Sequence, residues 1–557
     1  MDNYQIADQF TLLSKLMDIH GENSFKSKSY SSAAFAIEKL PVQLSETPRE
    51  KIAGIKGIGA SSAQKIIELL ENGRLEALEK IIFSTPPGII EMLNIKGIGP
   101  KKIHTIWKEM ELENLGELLY ACKENRLKLY KGFGEKTQQN VIDSIEFYFK
   151  NKGSFLYAQV EEAAAVIEEQ LKKIFTGKKV LLTGEYKRQL EIVNELAFII
   201  EEELAVIENK LLANDSLSIA ERNETGLLFN SSTGLKIRIY AASNNNSTAI
   251  LLHTSSSPEF VAAIQAIADP ANSNSADETA YFESIGLPFI PSYAREEAVV
   301  IDIARSGPLP EVIVPGDIKG IIHCHSNWSD GSNTIEEMAK AAIDLGLEYM
   351  AISDHSKSAF YAQGLFEDKI VAQHKYIDEL NATLAPFKIF KSIESDILND
   401  GNLDYAAEVL GSFDMVIASV HSNLKMTEEK AMMRLLRAIE NPYTTVLGHM
   451  TGRLLLSRPG YPVDHDRIID ACAANNVVIE LNANPNRLDI DWRFIRKALA
   501  KNVLISINPD SHATDTLTDT RYGVLVAQKA LLTRAQNLSS FTLEQMEAFL
   551  TKKKTGI

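Results

Sequence analysis

Apolar residues recur three and four positions apart through YQIADQFTLLSKLMDIHG (4–21), a pattern that predicts an amphipathic helix closed by Gly21. SSAAFAIEKLP (31–41) repeats it and stops at Pro41. A short repeat follows: IKGIGA at 55–60, IKGIGP at 95–100 and a weaker relative, YKGFGE, at 130–135. Each copy leads into a lysine-bearing helical stretch: SSAQKIIELL, KKIHTIWKEM and KTQQNVIDSI. From about Val180 the pattern mixes. KKVLLTGEY (178–186) and LKIRIYA (235–241) are short β-branched runs, and between them LEIVNELAFIIEEELAVI (190–207) reads as helical. Residues 242–248 and 271–282 read as polar loops, and SPEFVAAIQAIADP as a helix capped at Ser257. The proline-rich stretch from Pro288 to Pro315 reads as a linker. After Gly320, seven apolar runs alternate with helices: IIHCH, YMAISDH, KIFKSIESDI, MVIASVHS, TTVLGHM, VVIELNA and VLISINPDSH. Repeating βα units of this length predict a mostly parallel α/β barrel.

At 557 residues and 61.7 kDa, the chain exceeds one ordinary core and implies roughly three to four domains. Its composition, 45% hydrophobic and 24% charged, is that of a globular protein. Cys122, Cys324 and Cys472 are far apart, which excludes a disulfide framework and a paired-cysteine metal site. MDNYQIADQF lacks the layout of a signal peptide, and no apolar run approaches the ~20 residues that span a bilayer. A cytoplasmic protein without membrane contact is the expectation. A net charge of −16 argues against bulk attraction to nucleic acid. Cations and acids balance over the first 150 residues, however, which leaves room for a local basic surface.

Candidate chemistry concentrates at the other end. Eight of the 11 histidines follow residue 320, and six of them (His323, His325, His355, His421, His449 and His512) fall at ends of predicted strands. Asp330, Glu394 and Asp510 occupy comparable places. Residues two apart on a strand share a face, so His323 and His325, and likewise Asp510 and His512, can look into one cavity. By the same spacing Asp396 shares a face with Glu394, and either could be a ligand. Cys324 faces away, into the core. Any single histidine here could be an ordinary rim residue, but nine such groups at successive strand ends would be costly to bury unpaired. Mixed imidazole and carboxylate donors suit Zn²⁺, Mn²⁺ or Fe²⁺, with enough present for more than one ion.

HCHSNWSDG (323–331), ISDHSKS (352–358), SIESDI (392–397), SVHSN (419–423), GHMTGRLL (448–455), IELNANPNRLD (479–489) and NPDSHA (508–513) resemble the PHP (polymerase and histidinol phosphatase) domain. The resemblance implies a distorted seven-stranded (βα) barrel with three divalent ions. One would be held by His323, His325, Glu394 and Asp510, which would carry catalysis. A second would share Glu394 and use His421 and His449; a third would use Asp330, His355 and His512. Clustered divalent cations acidify water and neutralise phosphate oxygens, which is the chemistry of phosphoester hydrolysis. Lys357 and Arg453, beside ligand motifs, are candidate phosphate clamps.

The glycine repeats resemble helix-hairpin-helix motifs, in which paired glycines let backbone N–H groups meet a DNA phosphate without reading sequence. Candidate contacts are Gly57, Gly59, Gly97, Gly99, Gly132, Gly134, Lys101 and Lys102. With the PHP segment, with GENSFKSKSYSSAAFAIEKLP (21–41) and with SIGLPFIP (284–291), the whole chain resembles bacterial and archaeal family X DNA polymerases. The resemblance implies a multidomain chain: a helical N-terminal domain at 1–80, a fingers-like helical domain at 81–152, an α+β palm at 153–242, a thumb-like region at 243–295, a linker at 296–319 and the PHP barrel at 320–557.

The palm departs from the family. Its nucleotide-binding turn corresponds here to Thr183–Arg188 with Glu185, its Asp-x-Asp to Glu195 and Ala197, and its third aspartate to about Lys236. Two-metal nucleotidyl transfer needs clustered carboxylates. Mg²⁺ is therefore not expected at the palm, and polymerase activity is expected to be lost. The leading expectation is a monomeric, metal-dependent 3′→5′ DNA exonuclease acting on gapped, nicked or 3′-ended DNA in repair, with cleavage at abasic sites as a related activity. The alternatives are an active gap-filling polymerase, a small-molecule phosphatase of the histidinol-phosphate type, and a non-catalytic DNA-binding scaffold.

Overall fold

The first helix, α1 (Asn3–His20), begins with a reciprocal cap. Asp2 accepts from the Gln5 backbone N–H at 2.7 Å, and Gln5 accepts from the Asp2 N–H at 3.0 Å. It ends at Gly21, whose φ of 73° is the left-handed stop that glycine adopts without strain. The computed structural model describes residues 1–123, 126–213, 217–273, 275–456 and 458–555. The chain divides into two units, Met1–Lys152 and the remainder from Gly153 onward.

In the first unit α1 packs on α2 (Ser24–Glu38) through Phe10, Leu13, Tyr30, Ala33 and Ala34. Three further helices, α3 (Ala60–Asn72), α4 (Pro100–Lys108) and α5 (Glu135–Asn151), each follow one glycine repeat.

In the second unit a helix at Tyr157–Ile174 leads into a five-stranded sheet: β1 (Val180–Thr183), β2 (Glu195–Ile200), β3 (Leu217–Arg222), β4 (Gly226–Ser231) and β5 (Lys236–Ala241), in the order β1-β2-β5-β4-β3. Here the helix expected at 190–207 is corrected. Residues 195–200 form central strand β2, antiparallel to β1 and parallel to β5, and only Leu204–Leu211 is helical. Its apolar run is buried on both faces, so it lacks the alternation that marks a half-buried strand. The loop expected at 271–282 is shorter than read, because Asp277 caps a helix at Glu278–Ser284; residue 274 lies outside the described residues. The linker reading of 296–319 also needs correction. Val299–Ser306 is a helix, and its Val300, Ile301 and Ala304 pack with Leu252, Phe260 and Phe282.

The C-terminal part is a near-closed parallel barrel. Its seven strands run in sequence order: β6 (Gly320–Cys324), β7 (Tyr349–Ile352), β8 (Lys388–Asp396), β9 (Met415–Ser419), β10 (Val446–Leu447), β11 (Val478–Asn482) and β12 (Ile505–Asn508). A parallel bridge from Cys324 to Ser511 brings the last strand back beside the first. Met546 and Leu550, on the C-terminal helix, share a buried cluster with Ile322, Ala351, Ile417, Val446 and Val478. That cluster leaves the carboxyl ends of the strands for polar groups.

Candidate metal centre

All nine expected ligands lie at those carboxyl ends. His323 and Glu394 sit in β6 and β8, and the others in the loops that follow β6, β7, β9, β10 and β12. Four sets of ligand atoms each fall within 4.8 Å of one another: His325, Asp330, His355 and His512; His323, Glu394 and His449; His323, His325 and Asp510; and His355, Glu394 and His421. Glu394 is the hub. Its Oε1 lies 2.9 Å from His449 Nε2, 3.1 Å from His421 Nε2 and 3.2 Å from His323 Nε2. Its Oε2 lies 3.0 Å from His355 Nδ1 and 3.7 Å from His325 Nε2.

Regular pleating does not create this convergence. The register shifts between Ile321 and Cys324, with His323 at a φ of 67°. Asp510 lies beyond the end of β12, at a φ of 53°. Two ligands thus occupy the left-handed region, at a cost of about 1–3 kcal/mol each, and the buried surroundings hold them there. Cys324 is buried in an apolar cluster with Ile321, Met338 and Ile352, as expected, its Sγ donating to the Ala351 carbonyl at 3.3 Å.

The donor set fits divalent cations. His323 Nε2 and Glu394 Oε2 are buried without a hydrogen bond, an arrangement that costs about 1–3 kcal/mol per group unless a ligand takes them up. Burial, with His512 and His355 close by, lowers His325 to about 3 and keeps it neutral, as a metal ligand must be. Burial would also lower His421, but Glu394 and Asp396 outweigh it and push it up to about 10. Burial likewise opposes ionisation of Glu394, yet His421, His323 and His355 hold its carboxyl well below the usual range. Asp396 resolves the ambiguity left by spacing: it accepts from His421 Nδ1 at 3.0 Å and orients that ring.

Two further carboxylates had no role in the sequence reading. Glu480 Oε2 sits 2.6 Å from His323 Nδ1, while Oε1 accepts from the His449 backbone N–H at 3.0 Å. Buried Asp354 accepts from the Ser326 N–H and from the hydroxyls of Ser326 and Ser329, fixing the loop that carries Asp330. Their signal was an acid within or next to an apolar strand end, two residues before Asn482 and one before His355. Such partners set ring orientation and ligand basicity, so Glu480→Gln is expected to weaken Mn²⁺ binding about 10–100-fold, measured by titration calorimetry.

The two expected phosphate clamps are already engaged. Arg453 donates to Asp491 at 2.6 Å, to the Arg487 carbonyl at 2.9 Å and to the Leu488 carbonyl, so it braces a loop. Lys357 pairs with Glu367 at 2.6 Å. Arg487, missed from sequence, lies 3.7 Å from Asp510 and lines a cavity of about 360 Å³ shared with Asp510 and His512.

In the first unit the three glycine repeats adopt one geometry. Gly57, Gly97 and Gly132 have φ of 91°, 93° and 92°, and Gly59, Gly99 and Gly134 cap α3, α4 and α5 with no side-chain hydrogen bond at the cap. Ile58, Ile98 and Phe133 are buried between the glycine pairs. Lys102 donates to the Gly97 carbonyl at 3.1 Å, which ties the second hairpin together. The third hairpin puts Glu135 at the helix start, where the others have Ala60 and Pro100; a carboxylate there opposes an anion.

Comparison with known proteins agrees with this layout. Residues 1–75 match the profile of a helix-hairpin-helix domain, 89–146 a SAM-like helix-hairpin-helix tandem and 322–484 the PHP domain. The DNA polymerase/3'-5' exonuclease PolX of Bacillus subtilis is 32% identical over 96% of this chain and 97% of its own length. The chain belongs to the family X DNA polymerases that carry a C-terminal PHP domain. Shorter relatives align with part of the chain. A probable phosphatase of Acetivibrio thermocellus is 28% identical over 34% of this chain and 78% of its own, and one from Thermoanaerobacter sp. is 25% identical over 42% and 95%. Hairpins and family together mark a DNA-binding protein, and the clustered donors mark a metal-dependent phosphoesterase centre. Among the described residues no helix is long and apolar enough to cross a membrane.

In this family X chain the positions expected for polymerase carboxylates lie on adjacent strands. Register pairs Glu195 with Lys236 and Ala197 with Arg238. Arg238 engages Glu195 at 2.8 Å and Glu221 at 3.5 Å. Glu185 accepts from the Asn194 backbone N–H at 2.6 Å and from its side-chain amide at 3.0 Å. Among the described residues, all four potential metal-holding groups lie in the barrel.

Proposed function

We propose that the chain is a metal-dependent 3′→5′ DNA exonuclease of repair, acting through the barrel pocket on gapped, nicked or 3′-ended DNA, and that it no longer polymerises. The observation that carries this reading is the convergence of nine imidazoles and carboxylates on one pocket, in a chain that also bears three helix-hairpin-helix turns. Domain limits follow the family pattern, with helical domains at 1–80 and 81–152, a palm at 153–242, a thumb-like region at 243–295 and the PHP barrel from 320.

Three divalent cations held there (Mn²⁺, Zn²⁺ or Fe²⁺) would supply charge neutralisation for the phosphate and a more acidic water. His323, His325, Glu394 and Asp510 would hold one ion, Glu394 with His421 and His449 a second, and Asp330, His355 and His512 a third. Glu480 and Asp396 orient the rings of His323 and His421. Arg487, whose guanidinium borders Asp510, receives a non-bridging phosphate oxygen in the role expected of Arg453. Water oxygen adds to phosphorus, and the 3′-oxygen of the penultimate nucleotide leaves and takes up a proton. The backbone N–H groups at Gly57–Gly59 and Gly97–Gly99, with Lys101 beside the second, hold the DNA backbone without reading its sequence. Gly132–Gly134 contributes less because of Glu135.

The test uses the full chain with Mn²⁺ and gapped DNA labelled at the 5′ end of the primer. Wild type is expected to shorten the primer, and a His323→Ala/Asp510→Ala double variant to leave it intact. Equal shortening by the double variant overturns the assignment. Competition by a small phosphate monoester at equimolar concentration would favour a small-molecule phosphatase instead.

A further inference from the structure

The 360 Å³ cavity beside the metal centre is not accounted for by phosphate chemistry alone. It has the size of the smallest sites that enclose a small molecule, about 300–1,000 Å³, and so suits one nucleotide rather than a duplex end. Asp510 and His512 line it, so a group joined to a phosphorus atom at the cations has this space next to it. The rest of its wall is of two kinds. Leu454 and Leu455 are partly exposed and present apolar surface; Asn484, Asn486 and Arg487 come from the loop after β11.

Both walls are held in place. Leu454 and Arg458 exchange backbone hydrogen bonds at 2.9 and 2.7 Å, and Leu455 N–H donates to the Asn486 carbonyl at 2.7 Å, which joins the two loops. The Asn486 side-chain amide donates to Asn484 Oδ1 at 3.1 Å, which ties these two side chains to each other. The cleft therefore joins a cation, at Arg487, to an apolar ledge, with the Asn484–Asn486 pair at its edge.

We propose that this cleft is the subsite for the 3′-terminal nucleoside, with its base packed flat on the Leu454–Leu455 ledge and its 5′-phosphate facing Arg487. This deepens the exonuclease reading and rests on it. The subsite recognises that a base is present and is indifferent to which base it is, because apolar packing on a π-face does not distinguish sequence.

The experiment compares two gapped DNAs that differ only at the primer terminus: an ordinary nucleotide, or a tetrahydrofuran residue that keeps the sugar and phosphate and lacks the base. Wild type with Mn²⁺ is expected to remove the base-bearing terminus about tenfold faster, the order expected from burying roughly 50–60 Å² of base surface on apolar side chains. The four ordinary termini should differ by less than about threefold. In a Leu454→Ala/Leu455→Ala variant the preference for the base-bearing end falls to near onefold, whereas Leu455→Met, which keeps the ledge apolar, retains it. Manganese content per chain is measured for each variant as a check on the fold. Equal rates on both termini by wild type, or a preference that survives truncation of both leucines in a manganese-loaded variant, overturns the subsite. Failure of wild type to shorten either DNA instead overturns the exonuclease reading itself, and with it the subsite.

Discussion

Glu394→Gln is expected to slow primer shortening by about a thousandfold, the effect of losing roughly 4 kcal/mol of charge stabilisation at a multi-cation centre. The side chain keeps its shape, so the loss is one of charge. Oε1 faces three imidazoles within 3.2 Å, and Oε2 approaches His355 and His325. An amide in that place would turn an N–H₂ group toward nitrogen donors and toward any cations they hold. Glu394 joins two of the four sets, with His323 and His449 and with His355 and His421, and its two oxygens together approach five imidazoles. Manganese bound per chain should fall by at least one ion. Asp396→Asn is the companion variant. The Asp396 carboxylate meets Nδ1 of His421, on the ring edge away from Glu394, and a loss of about 10–100-fold is expected. Single-turnover rates and manganese analysis check both. A Glu394→Gln rate within tenfold of wild type would remove Glu394 from the centre of the mechanism.

Much of this centre was legible in the chain because barrel strands are short, apolar and regularly interrupted, and their ligands stand at the interruptions. Order along the chain is also order around the barrel, so nine separated residues could be placed on one rim. What escaped was whatever depends on partners distant in sequence. Strand β2 read as a helix because Leu196, Phe198, Ile199 and Ile200 are all buried, and an apolar run buried on both faces carries no period that separates strand from helix. Its parallel neighbour β5 arrives some forty residues later. Asp510 and His323 reach the pocket through left-handed backbone that pleat arithmetic cannot foresee. Glu480 looked like one acid in an apolar strand until His323 and His449 were seen against it. Arg453 and Arg487 are equivalent as letters near motifs; only the contacts with Asp491 and with two carbonyls show that one of them is a brace.

No template-directed extension is expected from this protein, with Mg²⁺ or Mn²⁺ and all four dNTPs, even when shortening is removed by His323→Ala/Asp510→Ala so that it cannot mask synthesis. Nucleotidyl transfer by two metals requires carboxylates converging on both ions. The equivalent face of β2 and β5 offers Glu195, Ala197, Lys236 and Arg238. One carboxylate faces two cations, and Arg238 already neutralises it at 2.8 Å. Recruiting Glu185 would require breaking its contacts with Asn194 at 2.6 and 3.0 Å, and it would still leave two acids against two bases. Restoring a single aspartate does not reverse this. Ala197 is buried and packs under Gly184 so closely that a Cβ on that glycine would come within 2.8 Å of it. A carboxylate introduced there would enter a crowded, buried site, and Ala197→Asp should lower stability rather than create activity. Primer-extension gels on gapped DNA decide the matter. A template-dependent +1 product from the exonuclease-deficient variant that disappears on Glu195→Gln would show that one glutamate suffices, and that the ion pair with Arg238 opens when nucleotide binds.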